Sequence, residues 1–172
     1  LKKKIEDFVF IGESDYSIVE FFKFQEDIKK ISNIAYIENN LIIKNKMRKR
    51  EEDLDKFGYP LWDKFPKKKF TFIRRAQPAF PIMTSRGCPF GCSFCASHKT
   101  MGKKFRARSP VAVVDEIEML HTQYGIQEIL FIDDNFTFDR ERTAAICEEI
   151  LRRDLDIAWR TPNGIRIDTL DP

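Results

Sequence analysis

The sequence predicts an α/β fold in which parallel strands alternate with helices, and three observations carry that prediction. Short apolar runs near residues 80–84, 129–132 and 157–159 are separated by stretches whose apolar residues recur at helical spacing. Each intervening stretch is long enough to be the crossover that returns the chain to the same end of the sheet. Polar clusters then follow the runs: a cysteine-rich loop, Asp133-Asp134, and Asn163 to Asp168. In parallel sheets and barrels, chemistry collects beyond the C-terminal strand ends, so the three clusters are expected to share one rim.

Taken in order, Phe8-Val9-Phe10-Ile11 is an apolar run closed by Gly12. Behind a Ser14 cap, Tyr16, Val19 and Phe22, with Ile18 and Phe21, follow at helical spacing, giving strand, turn and helix. Ile34-Ala35-Tyr36-Ile37 and Leu41-Ile42-Ile43 flank Glu38-Asn39-Asn40, the pattern of a small hairpin. Residues 44–55 are almost all charged, and residues 59–81 mix prolines, lysines and aromatics without a period, which is a linker signature. The basic clusters Arg48-Lys49-Arg50, Lys67-Lys68-Lys69 and Arg74-Arg75 read as solvated surface.

After the strand at 80–84 comes the cysteine loop, and Ser109-Pro110 opens a helix with Val111, Val114, Ile117 and Leu120 on one face. Tyr124-Gly125 ends it, and Ile129-Leu130-Phe131-Ile132 reads as a buried strand. Residues 140–153 return to helix through Ala144, Ile146, Cys147, Ile150 and Leu151, before a strand near Ile157-Ala158-Trp159. The second half is therefore βαβαβ. Cys147, on the apolar face of its helix, is expected in the core.

Composition narrows the classes. The chain has 172 residues, 42% hydrophobic, enough to bury one good core or two small ones. No stretch approaches the roughly 18 apolar residues of a membrane span. The start, Leu1-Lys2-Lys3-Lys4, lacks both a signal core and an initiator Met, which predicts a fragment. Thirty basic and twenty-seven acidic residues leave a formal charge of +3, too near balance to attract nucleic acid at long range. Four cysteines, three of them within eight residues, do not form a disulfide framework, and a reducing cytoplasm fits them.

Those three cysteines carry the chemistry. Cys88-Pro89-Phe90-Gly91-Cys92-Ser93-Phe94-Cys95 has the spacing Cys-x3-Cys-x2-Cys, close enough for one loop to wrap three thiolates around a compact metal centre. Gly87 and Gly91 are expected to permit that tight path. Three ligands on a four-iron cube leave one iron open, as a chemical role requires. A Cys3His zinc site completed by His98 is the competing reading, and describes a non-catalytic binding module.

Cys88-x3-Cys92-x-Phe94-Cys95 resembles the signature of the radical S-adenosylmethionine (SAM) superfamily, including the aromatic before the last cysteine. The resemblance implies a 4Fe-4S cluster on Cys88, Cys92 and Cys95, with SAM bound at the open iron through its amino and carboxylate groups. It also implies one-electron cleavage of SAM to a 5′-deoxyadenosyl radical, the electron coming from a donor such as flavodoxin or ferredoxin. Asp133-Asp134-Asn135-Phe136-Thr137 resembles the segment after the second barrel strand in the branch that carries an N-terminal cobalamin-binding domain. By that resemblance, Asp133 and Asp134 would help hold the SAM amino group, and Phe94 would border the cofactor. Asn163 to Asp168 resembles the segment after the third strand, where Arg166 would pair with the SAM carboxylate unless it is bridged to Asp168.

Gly12-Glu13-Ser14-Asp15 resembles a turn late in the cobalamin domain, and the stretch from Leu54-Asp55 to Trp62 resembles its exit. The expected fold is thus a partial TIM-like (β/α) radical SAM barrel of about three βα units, preceded by the tail of a Rossmann-like cobalamin-binding domain. The expected boundaries are 1–50 for that tail, 51–78 for the linker and 79–172 for the half-barrel. The branch's Asp-x-His-x-x-Gly element would lie upstream of Leu1; neither His98 nor His121 has that context. The implied reaction on a small-molecule substrate is cobalamin-associated methyl transfer, cyclisation or rearrangement. Methylthiotransferase-like chemistry without cobalamin is the alternative within the superfamily.

Overall fold

The computed structural model describes residues 7–24, 26–66 and 79–170. The basic clusters at 67–69 and 74–75, and part of the expected linker, lie outside them. The chain forms two compact units. One holds Leu1–Glu51 and Phe90–Gly102, the other Glu52–Pro89 and Lys103–Pro172.

In the first unit, Phe8–Phe10 (β1), Ile34–Glu38 (β2) and Leu41–Lys44 (β3) form a three-stranded sheet in that order, with Asp15–Lys23 (α1) between β1 and β2. Both ladders are antiparallel, pairing Phe8 with Tyr36 and Glu38 with Leu41. The hairpin turn is two residues long, and Asn39 and Asn40 both have positive φ, 49° and 62°. Asn tolerates that left-handed backbone, which the primed hairpin turns require.

Ile31, Ile34 and Tyr36 make the core, with Phe8, Phe10 and Phe21 against them and the rings of Phe8 and Phe21 4.7 Å apart. The inward stripe of α1 departs from the expected one. It runs through buried Ser17 to Phe21, while Val19 and Phe22 face outward, Phe22 being 68% exposed. Arg48 and Arg50 are likewise more than solvated charge. Arg48 pairs with Glu20 and lies 4.3 Å over the Tyr16 ring, and Arg50 pairs with Glu13 and donates to Thr100 O.

The second unit is built on a parallel sheet of Ala79–Ile82 (β4), Glu128–Phe131 (β7) and Ala158–Arg160 (β8), ordered β4-β7-β8. A separate antiparallel ladder joins Ser85–Arg86 (β5) to Arg106–Ala107 (β6). Between these two strands in sequence, Ser97–Thr100 (α2), a single turn of helix, belongs to the first unit. Pro110–Tyr124 (α3) links β4 and β7, and Arg140–Arg152 (α4) links β7 and β8. All four residues of β7 are buried, as a strand covered on both faces must be.

Buried Phe80, Ile82, Val113, Val114, Ile117, Leu120, Phe131, Phe136 and Ile146 form the core, with Phe131 and Phe136 stacked 4.2 Å apart. Two expected helix faces shift. On α3, Val113 is buried and Val111 exposed; on α4, Leu151 is exposed and the buried line is Arg142, Ile146 and Ile150. The helix ends follow the expected chemistry. Ser109 caps α3 with Pro110 in its first turn, and Gly125 closes it in the left-handed region at φ 67°.

Asp139 caps α4 by accepting from Arg142 N at 3.0 Å. Asp139→Ala is expected to cost about 1 kcal/mol, read from the urea midpoint at unchanged slope. On the outer surface Arg153 pairs with Asp115 and Glu118 of α3 and with Glu149 of α4. Hydrogen bonds from Arg152 and Arg153 hold the Glu149 carboxyl down to about 2, against 4.5 when free. A depressed folded value contributes stability that is present above the unfolded pKa and lost as pH falls through the folded one. Acid melts are therefore expected to show a loss between pH 4.5 and about 2 that Glu149→Gln lacks. Because Arg152 is exposed and Glu149 lies at the surface, the difference should shrink at high salt.

Candidate active site

The parallel register sets the rim of the second unit. Ile82 pairs with Phe131, and Ile132 N donates to Ile82 O at 3.0 Å, which brings Thr84 opposite Asp133. Asp133 is 2% exposed and turned inward. One carboxylate oxygen accepts from Thr84 N at 2.6 Å, and the other from the hydroxyls of Thr84 and Ser85 at 2.5 and 2.8 Å. Burial pushes the Asp133 carboxyl up, against the pull of those hydrogen bonds.

The next strand end joins the same rim. Asn163 Nδ2 donates to Ile132 O at 2.8 Å, and the hydroxyls of Thr137 and Thr169 are 2.5 Å apart. The structure thus brings the segments after β4, β7 and β8 together. Two of the residues expected at the cofactor are engaged with neighbours in the chain. The Asp133 carboxylate is engaged with Thr84 and Ser85, so its observed work is to tie two strand ends. The guanidinium of Arg166 is forked onto Asp168 at 2.9 and 2.6 Å, lowering the pKa of that carboxyl.

Asp134 differs from its neighbour. Its Oδ2 is buried with no hydrogen-bond partner among the described residues, and the same holds for Asn135 Nδ2. A buried carboxylate oxygen without a donor is costly, and a bound ammonium group would satisfy it.

The cysteine loop begins directly after β5. Gly87 has φ 85°, a conformation that L side chains rarely adopt, so glycine is required there. Gly91 has an ordinary φ and nothing within 4 Å of where a Cβ would stand, so the path does not depend on it. Cys88, Cys92 and Cys95 are each partly accessible, and no disulfide joins the four cysteines. Cys95 N donates to Cys92 O at 3.1 Å, and Ser97 N, at the start of α2, points to Cys95 Sγ at 3.5 Å. Amide donors of this kind tune the potential of a sulfur-ligated cluster.

Phe94 is 91% exposed, and His98 is exposed on α2. Among the described residues, no three His, Cys, Asp or Glu side chains are gathered as a metal-holding group. The donor chemistry nonetheless fits an iron-sulfur cluster: three thiols on one short loop, with an amide aimed at one of them. Cys147 fits no such role, because burial, with Glu148, pushes its thiol up and keeps it protonated.

Sequence reasoning missed three participants. Arg142 carries no motif; its signal is a charge in line with Ile146 and Ile150 on a buried stripe. Glu116 sits likewise among Val113, Ile117 and Leu120, and holds Arg108 and Trp62 at 2.5 and 2.8 Å. Trp62 therefore belongs to the core, although its stretch reads as linker.

A parallel sheet with a three-cysteine loop after its first strand places the chain in the α/β class, with thiol chemistry of the kind that holds an iron-sulfur centre. Residues 82–171 match the radical SAM superfamily, and the chain belongs to that superfamily. It is 33% identical, over 92% of its length, to an uncharacterized methyltransferase of Pyrococcus horikoshii. It is 34% identical, over 80% of its length, to the anaerobic magnesium-protoporphyrin IX monomethyl ester cyclase of Rubrivivax gelatinosus. The chain spans 35% and 24% of those two relatives.

Two solved structures share the fold. The cobalamin-dependent SAM radical enzyme OxsB matches 88% of this chain at TM-score 0.68 and 20% identity, over 22% of its own length. The radical SAM methyltransferase TsrM of Kitasatospora setae, with tryptophan and a SAM analogue bound, matches 86% at TM-score 0.60 and 18% identity, over 29% of its length. Among the described residues, no helix is long and apolar enough to cross a membrane.

Proposed function

We propose that Cys88, Cys92 and Cys95 hold a 4Fe-4S cluster, and that the whole protein uses it in cobalamin-associated methyl transfer or cyclisation on a small-molecule substrate. The Cys-x3-Cys-x2-Cys loop after the first strand of a parallel sheet carries this reading. A cluster held by these thiolates would supply the one-electron reduction that splits the sulfur to carbon bond of bound SAM into methionine and a 5′-deoxyadenosyl radical. The electron is taken from a reduced carrier such as flavodoxin or ferredoxin, in a compartment reducing enough to keep the thiols free, as the cytoplasm is.

This chain's residues bind and orient. Asp134 Oδ2, buried without a donor, accepts the SAM ammonium, and exposed Phe94 offers an apolar face beside the cysteines. Arg166 reaches the SAM carboxylate by exchanging Asp168 for it, since both members of that pair are solvent-accessible. The methyltransferase and cyclase names of the relatives support the choice of reaction, and the cobalamin-dependent structures support the second cofactor. Anaerobic reconstitution with iron and sulfide, then dithionite and SAM, is expected to give 5′-deoxyadenosine on chromatography. In the longer protein, added cobalamin should stay bound through gel filtration, and its absence there would return the reaction to the cobalamin-free branch.

A further inference from the structure

The cysteine loop has a neck, and the neck is built wholly within the second unit. Its two limbs are β5 and β6, which pair Ser85 with Ala107 and Arg86 with Arg106. Just outside the ladder, Arg108 N donates to Thr84 O at 2.9 Å. A ladder this short is marginal by itself in water. What holds it comes from the second βα unit.

Arg142, in the first turns of α4, donates from Nε to Arg108 O and from Nη2 to Thr84 O, both at 2.9 Å. One guanidinium thus grips one carbonyl on each limb. Just beyond β7, Asp133 holds Thr84 and Ser85 at the start of the outgoing limb. Arg142 is 8% exposed, and its planar fork makes two bonds in divergent directions, which a single ammonium does not reproduce. Cys88 follows the outgoing limb with only Gly87 between it and Arg86. Any change in the separation of the limbs is therefore passed to the first thiol within two residues.

We propose that Arg142 is a positioning residue for the start of the cysteine loop: by clamping Thr84 O and Arg108 O it fixes the neck from which Cys88 is presented. The proposal rests on the cluster reading given above. It assigns to the helix after the second strand a task in the site built by the first.

A residue that merely fastened α4 to the sheet would act on the whole unit alike, and Arg153, which bridges α3 and α4 on the outer surface, is the matched control. Arg142→Lys keeps charge and length, so it is the variant to use, with Arg142→Gln beside it. Amide hydrogen exchange in the cluster-free chain should speed up at residues 84–88 and 105–108 in Arg142→Lys while the α3 core keeps its protection. After reconstitution, loss of iron to a chelator should be about tenfold faster than in the parent chain, as for other supports of metal ligands. The electron paramagnetic resonance signal of the reduced cluster should shift or broaden. Arg153→Ala should leave all three readouts at parent values.

Unchanged neck exchange in Arg142→Lys, or equal changes in Arg153→Ala, would overturn the proposal. Should the parent chain take up no cluster, the cluster reading falls, and the exchange data on the cluster-free chain still decide whether Arg142 holds the neck.

Discussion

Cys92→Ala is expected to abolish cluster binding and leave the fold intact. A reconstituted parent chain should carry about four irons, and the variant close to none, because three thiolates are the minimum set on this loop. The effect is large because the ligands act as a unit: with two thiols left, no single position holds the cube. The fold should survive, since Cys92 is partly accessible in a loop and belongs to neither core. Thermal melting of the cluster-free variant should match that of the cluster-free parent. Cys147→Ala is the internal control. Its thiol is half-buried on α4 and held protonated, so the variant should keep its iron and lose only packing. Iron retained by Cys92→Ala, or lost by Cys147→Ala, would contradict the assignment.

The second large effect is structural. Glu116 is 1% exposed and serves two partners, Arg108 Nη1 at 2.5 Å and Trp62 Nε1 at 2.8 Å. Arg108 is itself buried, with its remaining bonds going to Met83 O and Ala112 O. Removing the carboxylate leaves a buried guanidinium without its counter-charge and an indole without its acceptor. Breaking one side of such a pair costs about 3–5 kcal/mol. For a chain of this size that is a fall in Tm of roughly 10 °C. Glu116→Gln keeps an acceptor for Trp62 and removes the charge, so it should lose less than Glu116→Ala. Equal melting temperatures for Glu116→Ala and the parent would show that the network carries no stability.

The parallel half of the fold was legible because its strands carry short apolar runs and its first helix begins and ends on strong signals, Ser109-Pro110 and Gly125. The cysteine loop was legible because thiolate chemistry needs several cysteines close in sequence. What stayed hidden depends on register. Whether Asp133 faces a ligand or the neighbouring strand is fixed by the pairing of Ile82 with Phe131, which the residues around it do not encode. The inward face of α1 was misread because a buried serine, Ser17, lies on its inner stripe while Val19 and Phe22 face out. Buried charges were invisible for a related reason: Arg142 and Glu116 read as surface until the backbone carbonyls and the indole that satisfy them are brought near. Trp62 shows the same effect at longer range, since its partner lies 54 residues away.

The central claim is that this loop holds an iron-sulfur cluster with a position open to SAM. Its most direct test is the electron paramagnetic resonance spectrum of the anaerobically reconstituted, dithionite-reduced chain, recorded with and without SAM. A reduced 4Fe-4S signal whose g-values move when SAM is added is the predicted result, because the cofactor binds the iron that no cysteine occupies. A chain that takes up zinc in place of iron, or a cluster signal that SAM leaves unchanged, would contradict it.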